Sequence, residues 1–331
     1  MPPPLSRRRF IGITAAAAGL GLAPFERPAK AEAHLVTWHG QVMGAVATLQ
    51  VHHHDRIVAG QLVERSLAEV RRLEAVFSLY RGDSALVALN RHGVLVAPPA
   101  ELIAVLAECR RYWELTGGAF DPTVQALWVL YRDHFSKTDA NPSGPSTLAL
   151  RETMERVGFG QVRFDANRIV LAQRGMGLTL NGIAQGYVTD RVVDILRAGG
   201  IRNTLVDMGE PRAIGSRPSG EPWRIGIADP GRPERINDTL EAVDQAVATS
   251  GGYGFRFDPE GRFNHLLDPR TGTSAHLYRS VSVLMPTATA ADALSTAFSL
   301  VSEDSIGSIL KTEGGEVRLV TAQGELRVLT G

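Results

Sequence analysis

The sequence predicts an α+β protein with mixed or antiparallel sheets and packed helices. Three observations carry this. Apolar residues recur at helical spacing in some segments and as short strand-like runs in others, and the two kinds are mixed without strict alternation. Residues 316–320 and 325–329 flank a turn at Ala322-Gln323-Gly324 and should pair as a hairpin. The marks of doubly wound nucleotide enzymes are missing, with no G-x-G-x-x-G after a strand and no Walker A run.

The chain opens on an expected targeting segment, residues 1–33. Ser6-Arg7-Arg8-Arg9-Phe10-Ile11 holds a twin arginine before an apolar run too short to span a bilayer comfortably. Ala29-Lys30-Ala31 and Ala31-Glu32-Ala33 offer small-residue cleavage sites, so the mature start falls near Glu32 or His34. The expectation is a bacterial periplasmic protein that the twin-arginine export machinery carries out already folded. The alternative is a retained N-terminal anchor, against which the Ala-x-Ala sites argue.

Residues 34–331 are long enough to bury a large core. A strand is predicted over 42–51, with Met43-Gly44 at its start. A helix follows over 61–77, where Leu62, Leu67, Val70, Leu73 and Phe77 fall close to one face. Pro98-Pro99 opens a second helix, running to Thr116 and stopped by Gly117-Gly118. Residues 139–146 form a surface loop, and 169–172 a short strand. The run LTLNGIAQGYVTDR, 178–191, reads as a strand turning through Asn181-Gly182 into a helix that ends at Gly199-Gly200. Strands are predicted over 205–208, 224–228, 246–250, 265–267 and 280–284. A last helix over 287–301 carries Asp292 and Thr296 on one face.

Composition narrows the function. Thirty-five basic residues balance 35 acidic ones with no basic stripe, so nucleic acid is not an expected partner. The single cysteine, Cys109, excludes an intramolecular disulfide and reads as a packed core thiol. No second long apolar run exists, so the mature form is expected to be soluble rather than membrane-spanning. C-x-x-C and H-E-x-x-H are absent, and Ser250 lacks the nucleophile-elbow spacing. His52-His53-His54 reads as an exposed strand end, because adjacent strand residues face opposite ways and cannot all reach one ion. Asp190, Arg191 and Asp194 read as a solvated helix face. A joint reading remains. A hard cation is held between a carboxylate, a hydroxyl and a backbone carbonyl, facing a phosphate at the start of the helix after Gly182.

Several motifs recur in a familiar order. Val42-Met43-Gly44 comes first, then Phe77-Ser78-Leu79-Tyr80, Asp83-Ser84 and Leu89-Asn90, then Gly118-Ala119-Phe120-Asp121-Pro122-Thr123-Val124. Gly182-Ile183-Ala184-Gln185-Gly186-Tyr187 follows, then Ala246-Val247-Ala248-Thr249-Ser250-Gly251. The last two are His265-Leu266-Leu267-Asp268-Pro269-Arg270-Thr271-Gly272 and Ala291-Asp292-Ala293-Leu294-Ser295-Thr296. Together they resemble the ApbE family of FAD:protein FMN transferases, over about residues 42–301. The export signal and the Asn181-Gly-Ile-Ala-Gln-Gly motif look most like the NosX branch, associated with nitrous oxide respiration.

The resemblance implies an ApbE-like, T-fold-related single compact unit. It implies an enzyme that binds FAD with Mg²⁺ and moves the FMN moiety to a threonine hydroxyl of an acceptor flavoprotein, releasing AMP. By the same resemblance Asp292 and Thr296 are side-chain metal ligands, the Gly182 carbonyl joins them, and Ser295 sits where some members also ligate. Met43, Tyr80, Ala119, Phe120, Asp121, Thr179, Gln185 and Leu266 match FAD-contacting positions. Tyr80 and Phe120 would pack on rings, with plain core aromatics as the alternative. Asp121 would accept from a ribose or base donor. His265 would take a proton or orient a phosphate, and its plainer reading is a histidine closing a strand into a turn.

Some positions depart from the family pattern. Thr179 stands where aspartate is common and Gln185 where lysine is common. Ser295 replaces a second aspartate of some members. Residues 205–212 lack one glycine, and Arg212 is a candidate to replace the lost charge. Activity with altered affinity is the expectation. An Mg²⁺-dependent FAD pyrophosphatase and a non-catalytic FAD-binding assembly protein are the alternatives, and a redox flavoenzyme is disfavoured.

Overall fold

The structure, a computed structural model, describes residues 34–331, and the expected export signal lies outside them. It begins with a hairpin. β1 (His34–Val42) and β2 (Ala45–His53) pair in register around Met43-Gly44. Both turn residues have positive φ, 49° and 92°, as a two-residue hairpin turn demands. Asn-Gly or Gly-Gly usually supplies that geometry. A methionine at the first position conceals it, so the sequence suggests one strand where two exist. Met43 is pinned in this conformation by its N–H donating to Glu74 Oε1 at 2.7 Å.

Helix α1 (Arg56–Phe77) starts five residues before the apolar pattern does, because Asp55 Oδ1 accepts from the N–H groups of Ile57 and Val58. Next come α2 (Ala85–His92), capped by Ser84, and β3 (Val94–Val96). The helix after Pro98-Pro99 is α3 (Ala100–Leu115), with Thr116 at its end. Helices α2, α4 (Gln125–Phe135) and α5 (Thr147–Met154) escaped the periodicity, as did the helix Glu303–Glu313 later in the chain. β4 (Val162–Phe164) and β5 (Arg168–Leu171) join β3 in a small antiparallel sheet of order β3-β5-β4.

The main sheet is assembled from both halves of the chain. After α6 (Ala184–Ala198) come β6 (Thr204–Asp207), β7 (Pro211–Ile214), β8 (Trp223–Asp229), β9 (Arg232–Ala242), β10 (Ala246–Ser250), β11 (Tyr278–Met285), α7 (Ala288–Phe298), α8 (Glu303–Glu313), β12 (Glu316–Thr321) and β13 (Leu326–Thr330). Eight strands pair in the order β1-β2-β6-β7-β10-β11-β12-β13, every pair antiparallel. β8 and β9 form a separate ribbon. The α+β class expected from the sequence is the class observed. No described helix is long and apolar enough to cross a membrane.

Two expected strands are not strands. Residues 178–180 join no sheet, because their polar groups are already taken. Asn90 clamps Leu178, accepting from its N–H at 2.7 Å and donating to its carbonyl at 2.8 Å, and the Thr179 N–H goes to the Pro122 carbonyl. Residues 265–267 contribute one isolated bridge, Leu267 to Ser274.

α6 and α7 cross at a point where backbone meets backbone. A Cβ on Gly186 would lie 2.2 Å from the Ala288 carbonyl oxygen and 2.8 Å from the Thr289 nitrogen. Neither atom is the end of a flexible side chain. Gly186→Ala should therefore push the helices apart and destabilise the fold by about 1–3 kcal/mol, as overpacked cores do. Urea denaturation checks this, and an unchanged midpoint would contradict it.

Candidate active site

One cleft lies where the β1–β2 turn, the residues before α6, the Asp292–Thr296 face of α7 and the 249–267 segment meet. Met43, Tyr80, Ala119, Phe120, Asp121, Thr179, Gly182, Gln185, His265, Leu266, Asp292 and Thr296 all line it. Residues from across the sequence are thus brought together. Ser295 is the exception. It is buried, its Oγ pairs with Ser250 Oγ at 2.8 Å and donates to the Asp292 carbonyl, and Ser250 takes the place at the cleft wall. On a helix, Ser295 lies about 100° round from Thr296 and cannot share its face.

At the α6–α7 end the donors fit a hard cation. Gly182 and Thr296 face each other so closely that a Cβ on Gly182 would sit 2.8 Å from Thr296 Oγ1. Any side chain there would fill the space between them. Asp292, one turn before Thr296, places its carboxylate at the same end, with Oδ2 accepting from the Gly186 N–H at 3.0 Å. Carboxylate, hydroxyl and carbonyl are all oxygen donors, the set that Mg²⁺ or Ca²⁺ takes. Among the described residues no three His, Cys, Asp or Glu side chains form a metal cluster.

The electrostatics agree with that fit. Burial pushes the Asp292 carboxyl up to about 7, against the Gly186 bond, and the Asp190 charge adds to the rise. Glu210, which the sequence reading did not single out, is buried in the cleft wall. Its carboxyl is held well above the usual range by burial and by Asp292 and Asp207, against a bond from the Thr249 N–H. Clustered acids raised in this way are what a bound cation relieves.

The start of α6 is less free for a phosphate than the sequence suggests. The Ala184 N–H goes to the Leu180 carbonyl and the Gly186 N–H to Asp292. Gln185 rests against Gly209, where a Cβ would come within 3.1 Å of its side-chain amide nitrogen.

Arg212 and Asp190 correct two readings. Arg212 does not supply the charge missing at Gln185. It is buried in an ion pair with Asp190, and their side chains are 8% and 6% exposed. Asp190 is no part of a solvated face. It also accepts from the Ala288 N–H at 2.9 Å, the Thr289 N–H at 2.9 Å and the Thr289 hydroxyl at 2.6 Å, tying α6 to the start of α7. Arg191 and Asp194 do pair at the surface.

Aromatic residues also line the cleft. Tyr80 is 56% exposed, with its hydroxyl 3.5 Å from Asn181 Nδ2. Phe120 is buried edge-on to Tyr112 while still reaching the wall. Asp121 is already engaged. Oδ1 accepts from the Thr123 N–H and hydroxyl and Oδ2 from the Phe159 N–H, so it braces the loop as well as lining the cleft. Trp128 and Phe255, with ring centroids 5.9 Å apart, add an aromatic wall. In the sequence they are indistinguishable from core aromatics.

Comparison with known proteins follows the same lines. The ApbE family model matches residues 43–323. The FAD:protein FMN transferase of Treponema pallidum is 32% identical over 293 residues, covering 81% of this chain and 79% of that protein. The enzyme of the same name from Haemophilus influenzae is 30% identical, covering 90% and 88%. The crystal structure of the ApbE protein from Thermotoga maritima superposes with a TM-score of 0.79 at 28% identity, covering 89% of this chain and 97% of that one. That of the Pseudomonas stutzeri flavinyl transferase ApbE gives 0.74 at 26% identity, covering 90% and 96%. On these matches, spanning nearly all the described residues, the chain belongs to the ApbE family.

Proposed function

We propose that this chain transfers the FMN moiety of FAD to a threonine hydroxyl of an acceptor flavoprotein, releasing AMP, with Mg²⁺ held by Asp292, Thr296 and the Gly182 carbonyl. The observation that carries this reading is the convergence of those three oxygen donors with His265 in one cleft. When bound, the cation would neutralise pyrophosphate charge and ease departure of AMP.

His265 suits the proton's path. Its Nδ1 lies 3.2 Å from the Phe255 carbonyl oxygen, which can only accept. Nδ1 therefore carries the proton and Nε2 is free to accept one. Burial lowers its pKa from the usual 6.5, against the Phe255 bond, so the ring is neutral at physiological pH. The threonine oxygen forms a bond to the riboflavin-side phosphorus and the bridging P–O bond breaks to AMP. The hydroxyl proton passes to Nε2. The aromatic residues of the cleft would hold the flavin or adenine ring.

The sign of the pH effect follows. A neutral base with a lowered pKa stays active as pH falls past 6.5 and fails only below it. The acid limb of the transfer rate should lie below 6.5, and a limb centred above that value would remove His265 as the base.

The export signal supports a periplasmic setting. The NosX-like motif supports an acceptor in nitrous oxide respiration. The test of the reaction is AMP release from FAD and Mg²⁺, with and without acceptor protein. Release that depends on acceptor supports the transferase, equal release with water alone makes it a pyrophosphatase, and bound, intact FAD makes it a carrier.

A further inference from the structure

We propose that the outer edge of β1 docks an extended segment of the acceptor protein, which adds to the sheet as a further strand and leads its hydroxyl-bearing residue to the cleft. The proposal rests on the transferase reading.

The main sheet ends at β1 and β13. Among the described residues no strand pairs with the outer side of β1. Val42 and Ala45 close the two-residue turn and so form a hydrogen-bonded pair. Pairs alternate from there. His34, Val36, Trp38, Gly40 and Val42 direct their backbone groups toward β2, while Leu35, Thr37, His39 and Gln41 direct theirs outward. The same four side chains are exposed, Leu35 by 51%.

Natural sheets protect such edges with lysine, proline, bulges or short strands. β1 has none of these. It is nine residues long, in unbroken register with β2, and HLVTWHGQV contains no Lys, Arg, Asp, Glu or Pro. The other edge strand, β13, has five residues and carries Arg327, which pairs with Glu325. An edge with no described partner over nine residues is open to a pairing strand.

Its direction indicates the occupant. β1 runs straight into Met43-Gly44, and Met43, Gly44, Ala45 and Val46 line the cleft. A strand laid along β1 therefore ends at the rim where a protein hydroxyl must arrive. The Glu74 bond to Met43 and the packing of α1 hold this rail in place. Strand addition draws affinity from main-chain bonds and tolerates varied side chains.

The test is Thr37→Pro. It deletes an outward N–H and blocks pairing, yet leaves the bonds to β2, because the Thr37 N–H does not face β2. Wild type is first shown by mass spectrometry to flavinate a purified acceptor flavoprotein domain; if it does not, the transferase reading fails and not this one. With transfer established, Thr37→Pro should raise the KM for acceptor by at least about tenfold and leave the KM for FAD unchanged. An unchanged acceptor KM overturns the proposal. Hydrogen exchange on wild type guards against a misfolded variant. Slowed exchange at Leu35, Thr37, His39 and Gln41 on adding acceptor supports the proposal. Exchange unaltered by acceptor overturns it, as does protection already present without acceptor, whether from residues 1–33 or, if it grows with protein concentration, from a second copy.

Discussion

Asp292→Ala should lower flavin transfer by on the order of a thousandfold, since a catalytic cation supplies several kcal/mol and each 1.36 kcal/mol is tenfold. The fold should survive. The substitution removes one bond, to the Gly186 N–H, but also a carboxyl that burial and Asp190 already disfavour as an anion. Asp292→Asn separates the two roles. It keeps an acceptor for Gly186 and loses the charge, so it should melt like wild type and still need far more Mg²⁺. AMP release across an Mg²⁺ titration, beside a thermal melt, reads both. A fully active Asp292→Ala would mean that the cation, if used, is held elsewhere.

Asp190→Ala should be the most destabilising polar substitution, by about 3–5 kcal/mol, the usual result of breaking a buried ion pair from one side. Arg212 would be left charged with no partner in the core, and the start of α7 would lose three hydrogen bonds. Because α7 carries Asp292 and Thr296, the same change should loosen the cation end of the cleft. The check is a double-mutant cycle in urea. Asp190→Ala with Arg212→Met should be less destabilised than Asp190→Ala alone, since the stranded charge is gone. Simple addition of the two single losses would deny the pair its role.

The legible parts of the fold were those with local signals. Pro98-Pro99 and Gly117-Gly118 mark α3, and Thr287 caps α7 with its side chain. The closing hairpin of β12 and β13 was visible from its turn. The β1–β2 hairpin was hidden because its turn uses methionine at a positive φ and a long-range bond to Glu74 to hold it. β9 was hidden because Arg232–Ala242 is largely charged and polar, on a ribbon outside the main sheet.

In the cleft, the motif residues were legible as a set through family resemblance. What they touch was not. A helical repeat places Asp292 and Thr296 on one face, but whether Ser295 turns toward the cleft or toward Ser250 depends on how β10 packs on α7. Asp190 reads as a surface acid until the Arg212 strand is laid against it. Glu210 gives no sign in sequence of lying beside Asp292, since 82 residues separate them and only the sheet order brings β7 next to β10. Pairings of this kind are tertiary and leave no periodic trace.

The transferase reading stands on whether this cleft moves FMN onto a protein. Its most direct test is the intact mass of an acceptor flavoprotein domain after incubation with this protein, FAD and Mg²⁺, followed by peptide mapping. FMN transfer requires a mass gain equal to one FMN phosphoester, placed on a threonine and absent with Asp292→Ala. An acceptor of unchanged mass, while FAD is split to free FMN and AMP at the wild-type rate, would contradict it.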